Sequence, residues 1–164
     1  MTKSPSAEPN PMETADHSGL PPAAAAILRG VQRLLRAHGF ESIAEACLAN
    51  GRRADAMAIG PTGDVWIVEI KSSIADFRSD NKWPEYRDYC DRLFFAVAPD
   101  FPSEILPPDT GLMFADRYGG EIIRDAPETR LSAARRKAVT LAFARVAAAR
   151  LASAIEPPIP GQPA

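Results

Sequence analysis

The feature that most constrains this chain is a strand–turn–strand segment, residues 53–71, that sets one acid against another across a tight connection. Arg53–Ile59 and Val65–Lys71 are strand-like runs, and Gly60-Pro61-Thr62-Gly63-Asp64 between them is strong turn chemistry. Side chains alternate along a strand, so Val65, Ile67, Glu69 and Lys71 share one face while Trp66, Val68 and Ile70 share the other. Both faces are largely apolar. This predicts a central, buried strand rather than an edge strand carrying a neutralised surface pair. If Ile59 stands opposite Val65, then Met57 faces Ile67, Asp55 faces Glu69 and Arg53 faces Lys71. Opposed residues have Cβ atoms roughly 4.5–5.5 Å apart. Two carboxylates so placed repel, and burying charge is costly unless it is paired or bound to metal. A divalent cation removes the objection, since Mg²⁺ is commonly held by one or two carboxylates while keeping several waters. Such an ion polarises a phosphoryl oxygen and lowers the pKa of bound water. Lys71 is then placed to orient that water or to stabilise charge building on phosphate. These residue types in this pattern suit phosphodiester hydrolysis.

The rest of the chain predicts the body around this hairpin. A first helix starts at Pro21-Pro22, with Ile27, Val31, Leu34 and Leu35 on one stripe and Gly39 as its stop. Phe40–Leu48 is a shorter, mixed strand. In it Glu45 alternates with Ile43 and Cys47, which makes it the candidate third carboxylate. Ile74–Asp91 is polar and helical in two pieces, the second opening at Pro84. Leu93–Ala98 is a continuous apolar run, hence a buried strand. Leu112–Ala115 and Glu121–Arg124 form a second hairpin across Tyr118-Gly119-Gly120, and residues 130–154 form an Ala-, Leu- and Arg-rich helix. The order αβββαβ, then a small hairpin and a C-terminal helix, is an α/β arrangement with a mixed sheet flanked by helices. The folded unit is expected over 22–155. Segments 1–21 and 156–164, rich in proline, are expected to be disordered.

Composition bounds the function classes. A net charge of −2 argues against a protein that coats nucleic acid by bulk electrostatics, but not against an enzyme with a local basic rim. Arg52, Arg53, Arg78 and Arg87 are candidates for that rim, and Lys82, Trp83, Tyr86 and Tyr89 follow the hairpin closely. The cluster Arg130, Arg135, Arg136 and Lys137 opens the last helix, where positive charge opposes the helix dipole. It is read as a solvated face, partly offset by Glu128. Cys47 and Cys90 lie in no metal-ligand pattern and are expected to be reduced and buried. His17 and His38 suggest neither base nor ligand. No stretch approaches the ~18 uncharged apolar residues of a membrane helix, and the first residues lack a secretory apolar region. The expectation is a cytoplasmic protein with no membrane partner.

Asp55, thirteen intervening residues and then Glu69-Ile70-Lys71 resembles the PD-(D/E)XK nuclease superfamily. The wider run is similar to the MmcB-like DNA repair proteins of bacteria. It comprises Gly51-Arg52-Arg53-Ala54-Asp55, Trp66 through Ser73, Asp76-Phe77, Lys82-Trp83-Pro84-Glu85-Tyr86 and Tyr89-Cys90-Asp91. The likeness spans about residues 22–125. Ala54 stands where the superfamily's proline usually precedes the aspartate. The resemblance implies a restriction-endonuclease-like core and a Mg²⁺- or Mn²⁺-dependent endonuclease in DNA repair. Asp55 and Glu69 would be metal-binding acids, Glu45 an additional acid, and Lys71 the active-site lysine. Arg53, Ser72, Lys82 and Tyr86 are the residues assigned to DNA contact. DNA is the implied partner, with branched or damaged forms as candidates, and a homodimer and repair proteins are further candidates. The alternative is a non-catalytic DNA-binding or scaffold protein that retains the nuclease fold.

Overall fold

In a computed structural model, residues 19–156 are described, so most of the two predicted disordered segments lies outside the described residues. The element order is α1 (Pro22–Ala37), β1 (Glu41–Cys47), β2 (Arg53–Ile59), β3 (Val65–Ile70), α2 (Ile74–Ser79), β4 (Arg92–Val97), β5 (Gly111–Ala115), β6 (Gly120–Arg124) and α3 (Ala133–Ile155). A 3₁₀ helix, Trp83–Tyr89, lies between α2 and β4. The strands form one six-stranded sheet in sequence order. β1–β2–β3 are antiparallel, β3–β4–β5 are parallel, and β6 returns antiparallel to β5. This is the mixed α/β sheet expected from the sequence, with the architecture of a restriction-endonuclease-like core. β3 lies in the interior between β2 and β4, which rules out the edge-strand reading of Glu69 and Lys71.

Each face of the sheet has its own core. α1 packs its stripe of Ile27, Leu28, Val31 and Leu35 against Ala56, Val68, Ile70, Phe94 and Met113. Leu28 and Val31 are wholly excluded from solvent, a burial worth roughly 1.5–3 kcal/mol per side chain. Gly30 lets this helix reach the β5–β6 turn. A Cβ there would lie 2.0 Å from the Asp116 carbonyl oxygen and 2.4 Å from that of Gly119. After α1, Gly39 takes φ +79, and the Phe40 N–H donates to the Leu35 carbonyl at 2.9 Å. The chain is thereby turned into β1 by the left-handed glycine predicted from the sequence.

The opposite face carries Ile43, Met57, Val65, Ile67 and Leu93, covered by Tyr86 and Tyr89 of the 3₁₀ helix and by Val139, Phe143 and Val146 of α3. A buried polar knot fastens α3 to the sheet. Asp91, 2% exposed, receives Arg136 on both carboxylate oxygens at 2.7 Å. It also accepts the Val65 N–H at 2.8 Å and the Leu131 N–H at 2.9 Å. These contacts hold the Asp91 carboxyl below the ordinary carboxylate range: burial opposes ionisation, but the Arg136 guanidinium and the two amides outweigh it. Arg136 is therefore an anchor, not part of a solvated basic face. Arg135 lies over the Tyr89 ring at 4.8 Å, and Glu128 offsets Arg130 at 3.5 Å as expected.

One further expectation is corrected, that both cysteines are buried. Cys47 is exposed, while Cys90 is buried with its thiol pushed up to about 12, chiefly by desolvation. α3 is also long and apolar enough to span a bilayer by length and composition, with a mean hydropathy of 1.5 over its most apolar window. Beyond Lys137 its only charged residues are Arg145 and Arg150. Arg145 and Arg150 interrupt the apolar run, so a search for uncharged stretches passes over a helix whose average nonetheless stays high.

Candidate active site

The paired acids sit where the sheet comes apart. β2 and β3 are paired from Ile59↔Val65 to Ala56↔Val68, in the register predicted from the turn, and there the ladder stops. β3 continues beside β4 as far as Ile70↔Ala96. Asp55 is skipped by the β1 ladder too, which pairs Ala44 with Ala56 and Ala46 with Ala54. Carboxylates take over the amides that the splayed backbones leave unpaired. The Asp55 N–H donates to Glu69 Oε1 at 3.2 Å, and the Ile70 N–H donates to Asp55 Oδ2 at 2.8 Å. Each acid is thus fixed through one oxygen. The other Glu69 oxygen, Oε2, lies 3.8 Å from Lys71 Nζ.

Asp55, Glu69 and Lys71 line one cavity of about 510 Å³ together with Arg53, Ser72, Asp76, Asp80, Lys82, Tyr86 and the start of α1. Its electrostatics follow from burial. Desolvation raises the Asp55 pKa against the opposing help of the Ile70 amide and Lys71. Glu69, 3% exposed, is pushed up to about 9, first by desolvation and then by the Asp55 charge. Burial works against the Lys71 ammonium, but the Asp80 hydrogen bond and the charges of Glu69 and Asp80 prevail and hold its pKa above the ordinary value.

Sequence reasoning missed Asp80. Its Oδ2 accepts a hydrogen bond from Lys71 Nζ at 2.6 Å, and its Oδ1 accepts from the Lys82 N–H at 2.8 Å. Its carboxyl is held low, since Lys71 and the backbone amides outweigh the effect of burial. The available signal was an acid at the break between the two helical pieces of 74–91, where a carboxylate can cap the following turn. Asp76 was also unassigned. Its Oδ2 accepts from the Ser72 N–H and Oγ, while Ser73 caps α2 by accepting the Asp76 N–H.

Glu45 does not join the cavity, and this corrects its expected place as third acid. It has φ +50, a left-handed conformation costing roughly 1–2 kcal/mol for a residue with a Cβ. The kink breaks the alternation on which its placement relied. Ile43 and Ala46, three positions apart, both pack on the α3 side, while Ala44 packs on the α1 side. The Glu45 side chain is 41% exposed and pairs with Arg53 at 3.3 Å. Among the described residues, no three His, Cys, Asp or Glu side chains converge as a ready metal cage.

The expected DNA-contact residues are placed unequally. Arg53 and Lys82 are exposed at the cavity. Ser72 is committed to Asp76. Tyr86 is 5% exposed and donates its hydroxyl to the Arg53 carbonyl at 3.1 Å, so it forms a wall rather than a stacking platform. Trp83 packs edge-on against Phe95 at 5.5 Å. Of the wider rim, Arg52 grips Glu85 at 2.9 Å and Arg87 grips Asp109 at 2.7 Å.

A family model described as "DNA repair protein MmcB-like" matches residues 11–158. The chain belongs to this MmcB-like DNA repair family. A solved structure titled "SPO1766 protein of unknown function from Silicibacter pomeroyi" is similar to this MmcB-like chain with a TM-score of 0.81 and 48% identity, over 86% of this chain and 95% of that one. No curated protein matches. The family places the MmcB-like chain in DNA repair, and the neighbour shares its fold.

Proposed function

We propose that this MmcB-like protein is a metal-dependent endonuclease that hydrolyses phosphodiester bonds of DNA in repair. The observation that carries the reading is the pair of carboxylates, Asp55 and Glu69, each fixed by a backbone amide at a splayed sheet end, with Lys71 beside them. The donor chemistry fits Mg²⁺ or Mn²⁺. Both ligands are hard oxygens, and two carboxylates with water and phosphate oxygens completing the shell is the usual arrangement for Mg²⁺. A bound ion would polarise the phosphate and acidify a water.

The protein's own groups do the rest. Asp55 and Glu69 would supply the negative charge that holds the cation. Lys71, with its ammonium oriented by Asp80, is placed to hydrogen-bond the attacking water or the developing phosphorane oxygens. Arg53 and Lys82 at the cavity are suited to the flanking phosphates. With so few cations at the cavity, binding should be weak, with a salt dependence no steeper than the few phosphates they neutralise.

The test is incubation of the full chain with Mg²⁺ or Mn²⁺ and end-labelled junction, flap, nicked and duplex DNA. Cleavage lost in both Asp55→Asn and Lys71→Met supports the reading. A second reading, a DNA-binding or scaffold protein that keeps the fold without hydrolysis, is favoured by the lack of a third converging acid among the described residues. It predicts salt-sensitive retention of the same DNAs with no metal-dependent product, and that outcome would replace the first reading.

A further inference from the structure

Among the described residues, α3 packs only one of its two apolar stripes. Val139, Phe143 and Val146 pack on the sheet. A second stripe follows a spacing of three and four residues through Lys137, Leu141, Ala144, Ala148, Leu151 and Ile155. Leu141, Leu151 and Ile155 are 59%, 62% and 75% exposed. Only 6% of the helix's most apolar window is buried. The 3–4 spacing is that of a coiled-coil seam, in which helices pair through positions repeating every 3.5 residues.

We propose that this seam docks the α3 of a second copy, antiparallel, making a homodimer independent of the hydrolytic reading above. The sequence of the stripe is self-complementary about its centre, as a two-fold interface requires. With the axis between Ala144 and Ala148, Leu141 meets the partner's Leu151, and Ala144 meets the partner's Ala148. Large residues form the outer layers. Small residues form the inner ones, where they let the backbones approach closely.

Charge agrees with this register. α3 opens on Arg135-Arg136-Lys137 and closes on Glu156, with no acid between. Basic residues at a helix N-terminus oppose its dipole. Antiparallel pairing brings the partner's Glu156 and the negative end of its α3 beside Lys137. A parallel pair would instead place like charges together.

DNA does not suit an apolar stripe. A bilayer-spanning helix does not suit α3 either, because Arg136 chelates buried Asp91 at one end and Arg150 donates to the Ala44 carbonyl of β1 at 2.6 Å towards the other.

The area sets the strength. A 23-residue helix is ~34 Å long, and a contact strip ~12 Å wide buries ~400 Å² per copy. About 800 Å² in total is below the ~1,200 Å² at which stable specific interfaces begin, in the range of weak, transient association. The dimer is therefore reversible and dissociates on dilution.

Sedimentation velocity on the full chain between about 1 and 300 µM tests this. A monomer–dimer equilibrium is expected, weakened at least tenfold in Leu141→Glu/Leu151→Glu. Both residues are exposed, so thermal melts at low concentration should match wild type. Lys137→Glu and Glu156→Lys should each weaken the dimer several-fold, and their combination should restore it. A chain monomeric throughout the range, or a dimer indifferent to Leu141→Glu/Leu151→Glu, overturns the proposal. So does a monomer that co-sediments with vesicles of phosphatidylglycerol and phosphatidylcholine through the same two leucines, which would assign the stripe to a membrane surface.

Discussion

Replacing Glu69 by glutamine should stabilise the metal-free protein, and the size of the effect follows from the site. The ordinary glutamate pKa of 4.5 is raised to about 9 in the folded chain. Between these values the unfolded chain has released the proton and the folded chain still holds it. The unfolded state then binds fewer protons, so stability falls as pH rises through this window and levels off above about 9. At pH 7 the loss is about 3 kcal/mol, from roughly 2.5 pH units at 1.36 kcal/mol each. Asp55 is raised too and adds in the same direction. Asp80 and Asp91 are held low, so their contributions are complete above the ordinary carboxylate pKa and vanish only in acid. Lys71 is raised, so its contribution is lost only at alkaline pH, above the window. Glutamine keeps the shape and an oxygen to accept the Asp55 N–H, but carries no charge. At about 3 °C per kcal/mol for a domain of this size, Glu69→Gln should melt ~9 °C higher than wild type at neutral pH. The assay is a set of thermal melts in EDTA from about pH 5 to pH 9. Wild type should lose stability steadily, the variant much less, and Mg²⁺ should raise the melting point of wild type alone. A wild-type profile flat with pH, or a variant less stable than wild type at pH 8 in EDTA, would refute the reasoning.

Three other substitutions probe separate parts of the fold. Asp91→Asn leaves the Arg136 guanidinium, 29% exposed, facing a neutral partner in place of a carboxylate that is 2% exposed, and should lower stability by about 2 kcal/mol in urea titrations, the scale of a hydrogen bond to a charged group. Gly30→Ala drives a methyl into the backbone of the β5–β6 turn, and should destabilise by about 2 kcal/mol or more despite alanine's better helix propensity, readable as a lower melting point. Glu45→Gln removes only an exposed ion pair with Arg53. It should leave Mg²⁺ affinity by calorimetry and any cleavage rate within about threefold of wild type, because surface pairs contribute less than about 1 kcal/mol.

The parts of this fold legible in the sequence are those governed by local chemistry. The turn at Gly60–Asp64 fixed the β2–β3 register, because only a few turn geometries fit that composition and length. Gly39 marked the end of α1. The double apolar faces of Val65–Ile70 announced an interior strand. What stayed hidden depends on three-dimensional juxtaposition. Nothing local says that Arg136 reaches across to Asp91, so it read as one more exposed arginine. Asp80 becomes visible as the partner of Lys71 only when α2 ends beside the cavity. The misplacement of Glu45 has a sharper cause. Period-two alternation assumes extended backbone throughout, and one residue with positive φ inside β1 changes which face every later residue meets.

A separate irregularity, the end of the β2–β3 ladder at Ala56↔Val68, explains how the sheet accommodates two acids where its strands part. A strand pair with an unbroken ladder would have satisfied the amides of Asp55 and Ile70 with carbonyls, leaving both carboxylates buried with nothing to accept. Where the ladder opens, each acid instead replaces a missing carbonyl, and a hydrogen bond to an anion is stronger than one between neutral groups. The compensation is incomplete, since Glu69 still holds its proton far above the ordinary range. The splay therefore orients the acids without neutralising them. The remaining imbalance favours a cation over a second proton, and more strongly as pH rises, because proton competition for Glu69 weakens with each unit up to about 9. A metal affinity that increases with pH across this range, and loses that increase in Glu69→Gln, is the behaviour this geometry requires.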